Sequence, residues 1–242
     1  MSEIWMIDLL RELLKLKEGT FIDIGVNIGQ TLIKLKSVNL EIEYIGFEPN
    51  PACVFYVREL IKQNNLTGSL IYPVGIFKEN QVLELVSFYQ DETDSAASLI
   101  QDFRPNHRTY DKQYVPVFRF ESLAAQLDLQ AISIIKIDVE GAELEVLESL
   151  ISTLWRFRPV LIIEMLPVYS EENTVRKERQ ERVESKLFDL EYGLFRVQKT
   201  EEDLYHGLQE VASAGIHADL RQCDYVALPY ELKEKLFLTR EP

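Results

Sequence analysis

From Thr20 onward the sequence alternates short apolar runs rich in β-branched residues with longer stretches of helical pattern, and this alternation constrains the fold more than any other feature. Parallel strands joined by crossover helices are covered on both faces, so each reads as a continuous apolar run. Such runs occupy residues 20–24, 43–48, 69–75, 132–138 and 159–165, with helices expected at about 29–37, 51–64 and 142–154. GLFRVQK (193–199) and DYVALP (224–229) bring the set to seven strands. VLELVSFYQ (82–90) reads as an additional strand, and Asp91 to Tyr114 as a polar, irregular excursion. An excursion of that length in a compact domain carries function or mobility, so it is expected to form a mobile wall or lid over the site. The expectation is an α/β fold: one domain over residues 1–242, with a doubly wound, mostly parallel sheet and helices on both faces.

The composition narrows the function. With 40 acidic and 26 basic side chains the formal charge is −14, a field that repels phosphate backbones, so nucleic acid is not an expected partner. Cys53 falls in a predicted helix and Cys223 in a late loop, which outlines neither a disulfide framework nor a metal site and fits a reducing cytoplasm. In MSEIWMIDLLRELLKLKEG, residues Ile4, Ile7, Leu10, Leu13 and Leu14 recur at helical spacing while acids interrupt every apolar run. That pattern is neither a signal peptide nor a membrane span, and it predicts a docking helix within residues 1–19 stopped by Gly19. The run EENTVRKERQERVESK mixes charges as a solvated helix does.

Three segments carry the chemistry. In FIDIGVNIGQT (21–31) a strand ends at Asp23 and passes through Gly25, Asn27 and Gly29 into a helix. Glycines there let the backbone approach a ligand, and the helix start offers free N–H groups. Three residues, not one, separate Gly25 from Gly29, so the spacing is not the GxGxxG of dinucleotide enzymes. In EYIGFEPNP (43–51) a second strand ends at Glu48, beside the glycine loop if the sheet is doubly wound. Glu48 can accept hydrogen bonds from both hydroxyls of a ribose, or can merely cap the helix that begins near Pro51. In ISIIKIDVEGAELEVLESL (132–150) a strand ends at Asp138, turns through Val139, Glu140 and Gly141, and enters an amphipathic helix. With the order 3-2-1-4-5, Asp23 and Asp138 flank one cleft. Lys136 shares a face with Asp138 and reads as a salt-bridged structural lysine.

These segments, with PVG (73–75), SAASL (95–99) and IKIDVEGAELEVL, resemble the FkbM-type methyltransferases over residues 20–166. The resemblance implies a class I methyltransferase sheet of order 3-2-1-4-5-7-6. It makes 20–166 the cofactor-binding core and 167–242 a C-terminal helix with the last two strands. It implies S-adenosyl-L-methionine as methyl donor, S-adenosylhomocysteine as product, and a hydroxyl of a sugar, polyketide or related metabolite as acceptor. Asp23, Gly25, Asn27 and Gly29 then look like the methionine-end site, Glu48 like the ribose ligand, and Val74 and Gly75 like the wall beside the adenine.

Methyl transfer asks mainly for alignment and for a base at the acceptor hydroxyl. Asp138, Glu140 and Glu164 are the carboxylates that topology places for that work, with His107, His206 and His217 behind them. The same three carboxylates are hard oxygen ligands, yet the expected site is metal-free. A nicotinamide-dependent oxidoreductase would show GxGxxG, and an amino-group or DNA methyltransferase would show an Asn/Asp-Pro-Pro-aromatic motif where this chain has DVEG. A non-catalytic cofactor-binding or scaffolding protein is the remaining alternative. The expected partner is a small-molecule or glycan acceptor, with no membrane association; monomer and homo-oligomer both stay open.

Overall fold

The computed structural model describes residues 3–100 and 107–238. In chain order the elements are α1 (Trp5–Leu13), β1 (Thr20–Ile24), α2 (Gln30–Val38), β2 (Tyr44–Phe47), α3 (Pro51–Gln63), β3 (Ser69–Tyr72), β4 (Gly75–Ile76), β5 (Gln81–Ser87) and β6 (Asp111–Phe118). There follow α4 (Phe120–Ala124), β7 (Ile132–Ile137), α5 (Glu143–Phe157), β8 (Val160–Glu164), α6 (Thr174–Asp189), β9 (Tyr192–Lys199), β10 (Tyr205–Glu210), β11 (Asp224–Pro229) and α7 (Tyr230–Leu238).

The main sheet runs β10-β9-β11-β8-β7-β1-β2-β3. Its seven sequence-predicted strands pair in the expected order, and β10 adds an eighth at the edge, from the stretch between the last two predicted strands. β1, β2, β3, β7 and β8 are parallel, whereas β11 is antiparallel to both β8 and β9. Every residue of β7 is buried, as a strand covered on both faces requires. Its alternate residues enter different cores: Ile135 and Ile137 join the one under α5 and α6, and Ile134 the one under α1 and α2. Each fully buried isoleucine contributes about 1.5–3 kcal/mol, so β1 and β7 are held at the centre of the sheet from both sides.

Several expectations change. The run 69–75 is not one strand: β3 ends at Tyr72, and Gly75–Ile76 joins a second sheet of order β4-β6-β5. Within the polar excursion, Asp111–Tyr114 is strand, paired antiparallel to β5, while residues 101–106 lie outside the described residues. The buried face of α1 is Trp5, Met6, Leu9, Leu10 and Leu13, and Ile4 is exposed. Gly19 does not stop that helix, which ends at Leu13. At φ +137° Gly19 lies so near β7 that a Cβ would meet the Ala131 carbonyl carbon at 2.8 Å. The charged helix α6 is not wholly solvated, for Gln180, Val183, Glu184 and Leu187 are buried. Among the described residues no helix is long and apolar enough to cross a membrane.

Candidate functional site

A cavity of about 300 Å³ opens at the C-terminal ends of β1, β2 and β7, at the lower end of the range for small-molecule sites. Doubly wound sheets bind ligands at this edge because crossover helices leave on opposite faces there. Gly25 forms part of its floor at φ +91°, and a Cβ there would lie 1.8 Å from the Asp138 carbonyl oxygen. Only glycine lets the end of β1 run that close to the end of β7. Gly29, also left-handed at φ +82°, is the N-cap of α2 and does not line the cavity.

Glu48 lines the cavity at the end of β2 and is buried. Its two oxygens accept the backbone N–H groups of Asn27 at 2.7 Å and Asn50 at 2.8 Å. Burial pushes its pKa up to about 7 against the pull of those two bonds. The helix-cap reading of Glu48 fails, because the Asn50 side chain caps α3 by accepting from Ala52 N–H at 3.0 Å. Each Glu48 oxygen holds one backbone donor in place and keeps lone-pair capacity for a ligand.

Asp23 is not where the cleft reading put it. It is fully buried beneath the loop, does not line the cavity, and pairs in register with Lys136 on β7. The Tyr44 hydroxyl donates to one Asp23 oxygen at 2.7 Å, and the other oxygen has no partner. Desolvation pushes this carboxyl up to about 6. Val74 likewise packs against the core, leaving Gly75 alone of that pair on the cavity wall.

At the β7 side, Asp138, Glu140 and Glu164 bring ligand oxygens within 4.8 Å of one another. Lys136 Nζ donates to Asp138 at 2.7 Å, as the shared face predicts. Burial opposes ionisation of Asp138, but the Lys136 ammonium and a hydrogen bond with Glu164 outweigh it and hold Asp138 below the usual carboxylate range. Glu164 is pushed well above its usual value by the Asp138 charge and then by burial. The two shifts run in opposite directions, so within this coupled pair the proton is favoured on Glu164 and the charge on Asp138. Glu140 sits at φ +51°, its carbonyl accepting the Ser98 hydroxyl at 2.7 Å.

The sequence reading missed several neighbours. Ser95, Ala97 and Leu99, within the quoted SAASL run, line the cavity, as does Asp94. This wall is tethered: Asn27 and Asn50 side chains donate to the carbonyls of Thr93 at 3.1 Å and Glu92 at 2.8 Å. Arg179, from the charged run, donates to the Gly141 carbonyl at 2.8 Å and pairs with Glu145. Glu3, from before α1, lines the opposite wall. No local pattern marks Arg179 or Glu3, since both act through contacts distant in sequence. Of the histidines, His107 stacks edge-on against Phe88, His206 is exposed, and His217 contacts the Tyr225 hydroxyl; none lines the cavity.

Comparison with known proteins gives these residues a setting. A "Methyltransferase 1" of Beauveria bassiana (strain ARSEF 2860) is 25% identical over 162 residues, 61% of this chain and 65% of that protein. The crystal structure of Methyltransferase FkbM from Methylobacillus flagellatus KT superposes with a TM-score of 0.52 at 14% identity, covering 87% of this chain and 43% of the other. The chain thus spans less than two thirds of either relative's length. The methyltransferase FkbM domain matches residues 23–201, which include the glycine loop, Glu48 and the Asp138 turn. With three quarters of its length inside that match, the chain belongs to the FkbM methyltransferase family.

Proposed function

We propose that this protein transfers a methyl group from S-adenosyl-L-methionine to a hydroxyl oxygen of a small-molecule or glycan acceptor, leaving S-adenosylhomocysteine. The observation that carries the reading is the placement of the Glu48 and Asp138 carboxylates on two walls of one cavity at the carboxyl edge of the sheet.

The residues present fit the donor. Acids outnumber the one cation, Lys136, among the lining residues, which suits a ligand with sulfonium and ammonium groups and opposes the pyrophosphate of a nicotinamide cofactor. Glu48, oriented by its two backbone donors, would take the ribose hydroxyls. Gly25 and Asn27 would let the backbone approach the methionine end, and Gly75 would do so beside the base. When bound, the donor supplies a methyl group on a positively charged sulfur, a leaving group that needs no side-chain activation.

Asp138 then acts on the acceptor. Being the ionised member of its pair, it can accept the hydroxyl proton at its carboxylate as the oxygen attacks. Lys136 favours its charged form, as does its hydrogen bond with Glu164. Glu140, in the same carboxylate cluster, would hold a second acceptor group. Lys136 and the Glu164 proton already offset much of the cluster's charge, so the reading needs no divalent cation. The net charge of −14 favours a small acceptor over nucleic acid, and a cytoplasmic setting accords with two free, buried cysteines.

Calorimetry with the donor, its product and NAD tests the reading. Binding of S-adenosylmethionine or S-adenosylhomocysteine, with NAD inert, is expected. Protein blind to both yet binding NAD would refute it.

A further inference from the structure

Glu3, just before α1, lies outside the matched residues 23–201, yet it reaches the cavity. Glu3 lines it together with Gln30 and Thr31 at the start of α2. Its carboxylate accepts from Lys34 Nζ at 2.7 Å; the lysine side chain is 0% exposed and that of Glu3 is 38% exposed. An ammonium buried to that degree needs a charged partner, and among the described residues Glu3 is the one it is paired with. The pair therefore pins the start of α1 over α2, and the Thr31 hydroxyl beside the Met6 sulfur, 3.9 Å away, lies along the same seam.

Contacts locate Glu3 along the cavity. Two residues on, the Trp5 ring lies 4.2 Å from Lys199 Nζ. Lys199 pairs with Asp224, which stands in register with Glu164 of the carboxylate cluster. Glu3 thus stands toward the end where Asp138 lies, away from Glu48 at the end of β2. At that end, among the described residues, Lys34 and Lys136 are each committed to a carboxylate at 2.7 Å. An incoming carboxylate or phosphate would find no uncommitted cation among these and would face the charges of Glu3, Asp138 and Glu140.

We infer that Glu3 is a specificity-determining residue of the acceptor site: its carboxylate accepts a hydrogen bond from an acceptor hydroxyl and turns away acceptors that carry an anionic group. The inference rests on the methyl-transfer reading. It is tested by initial rates with labelled S-adenosylmethionine and two probes, a methyl glucoside and the corresponding methyl glucuronide, which share their ring hydroxyls and differ by one carboxylate. Wild type should prefer the glucoside by about tenfold or more, the scale at which one close like-charge contact discriminates.

Glu3→Gln keeps an acceptor for Lys34 and removes the charge, and should cut that preference at least about fivefold. Because Glu3→Gln leaves Lys34 without a counter-charge, the double variant Glu3→Gln/Lys34→Met removes both charges. It should give the same loss of preference with a melting temperature near wild type. S-adenosylhomocysteine affinity should stay within about twofold in all three proteins. An unchanged preference in both variants overturns the inference, as does a wild type that favours the glucuronide or methylates neither probe while still binding S-adenosylhomocysteine. Loss of product binding by wild type itself would instead bring down the methyl-transfer reading on which it rests.

Discussion

Replacing Glu48 by glutamine should move stability and ligand affinity in opposite directions, and the two effects can be sized from the site. The folded protein holds the Glu48 proton up to about 7, against 4.5 for an exposed carboxyl, because burial disfavours the charge. Folded chains therefore bind this proton more tightly than unfolded ones, and wild-type stability is lost as pH rises from 4.5 through 7. That interval corresponds to at most about 3 kcal/mol. Glutamine does not titrate, so the stability of Glu48→Gln relative to wild type should rise by up to about 3 kcal/mol between pH 4.5 and 8. A roughly constant cost of about 1–3 kcal/mol is superposed, since the amide NH₂ must face the N–H of either Asn27 or Asn50. Affinity for S-adenosylhomocysteine should fall about 10- to 100-fold at pH 8 through loss of charge-assisted bonds to the ribose. Wild-type affinity should itself weaken below pH 7, by at most about tenfold per pH unit, while the variant's stays flat. Denaturant unfolding and calorimetry at half-unit steps from pH 5 to 8 measure both. A stability difference that does not change with pH, or a variant that binds the product as tightly as wild type at pH 8, would refute the reasoning.

Asp138→Asn keeps shape but removes the charge that receives the proton, and should lower turnover about 10²-fold or more with product affinity within about twofold; near-normal turnover in a steady-state assay would make Asp138 structural. Gly25→Ala places a Cβ 1.8 Å from the Asp138 carbonyl at φ +91° and should cost at least about 2–4 kcal/mol in denaturant unfolding, with loss of product binding. Arg179→Met strips the donor to the Gly141 carbonyl from the turn that carries Asp138 and leaves the buried Glu145 carboxylate of α5 unpaired. It should cost about 2–4 kcal/mol, and Arg179→Lys should recover part of that in the same measurement. Amides of Ser95 to Leu99, on the cavity wall, should exchange more slowly with donor product and acceptor bound; equal protection in both states would count against a closing wall.

Much of this molecule follows from local pattern. Continuous apolar runs such as ISIIKI can be buried only between two layers of helix, which forces a doubly wound sheet and places strand ends, with their acids, at one edge. Gly25 was legible for the same kind of reason, since a strand that turns sharply into a helix beside another strand has room for hydrogen alone. β10 was not legible, because its exposed edge carries no apolar run to mark it.

The roles of the acids show where pattern stops. Asp23 and Asp138 look alike in sequence, each ending a β-rich run just before a glycine turn. Asp23 falls inside the strand in register with Lys136, so its side chain is buried under α2 against the Tyr44 hydroxyl. Asp138 falls one residue beyond its strand, so its carboxyl reaches the cavity. Asp23 is in register with Lys136 and Asp138 follows Lys136 on the same face, so the two acids differ in how far along that face they stand, which strand pairing sets. Glu48 lost its rival role as helix cap only when Asn50 was seen to hold it. Glu3, Ser98 and Arg179 reach the site across 31, 42 and 38 residues of chain respectively, to Lys34, Glu140 and Gly141. The sequence by itself therefore determined the sheet, its carboxyl edge and the carboxylates near it; which of them face the cavity, which are neutralised and which close its far end was decided by tertiary packing, because periodicity reports burial of a face and not the partner that a chain closed over dozens of residues brings to it.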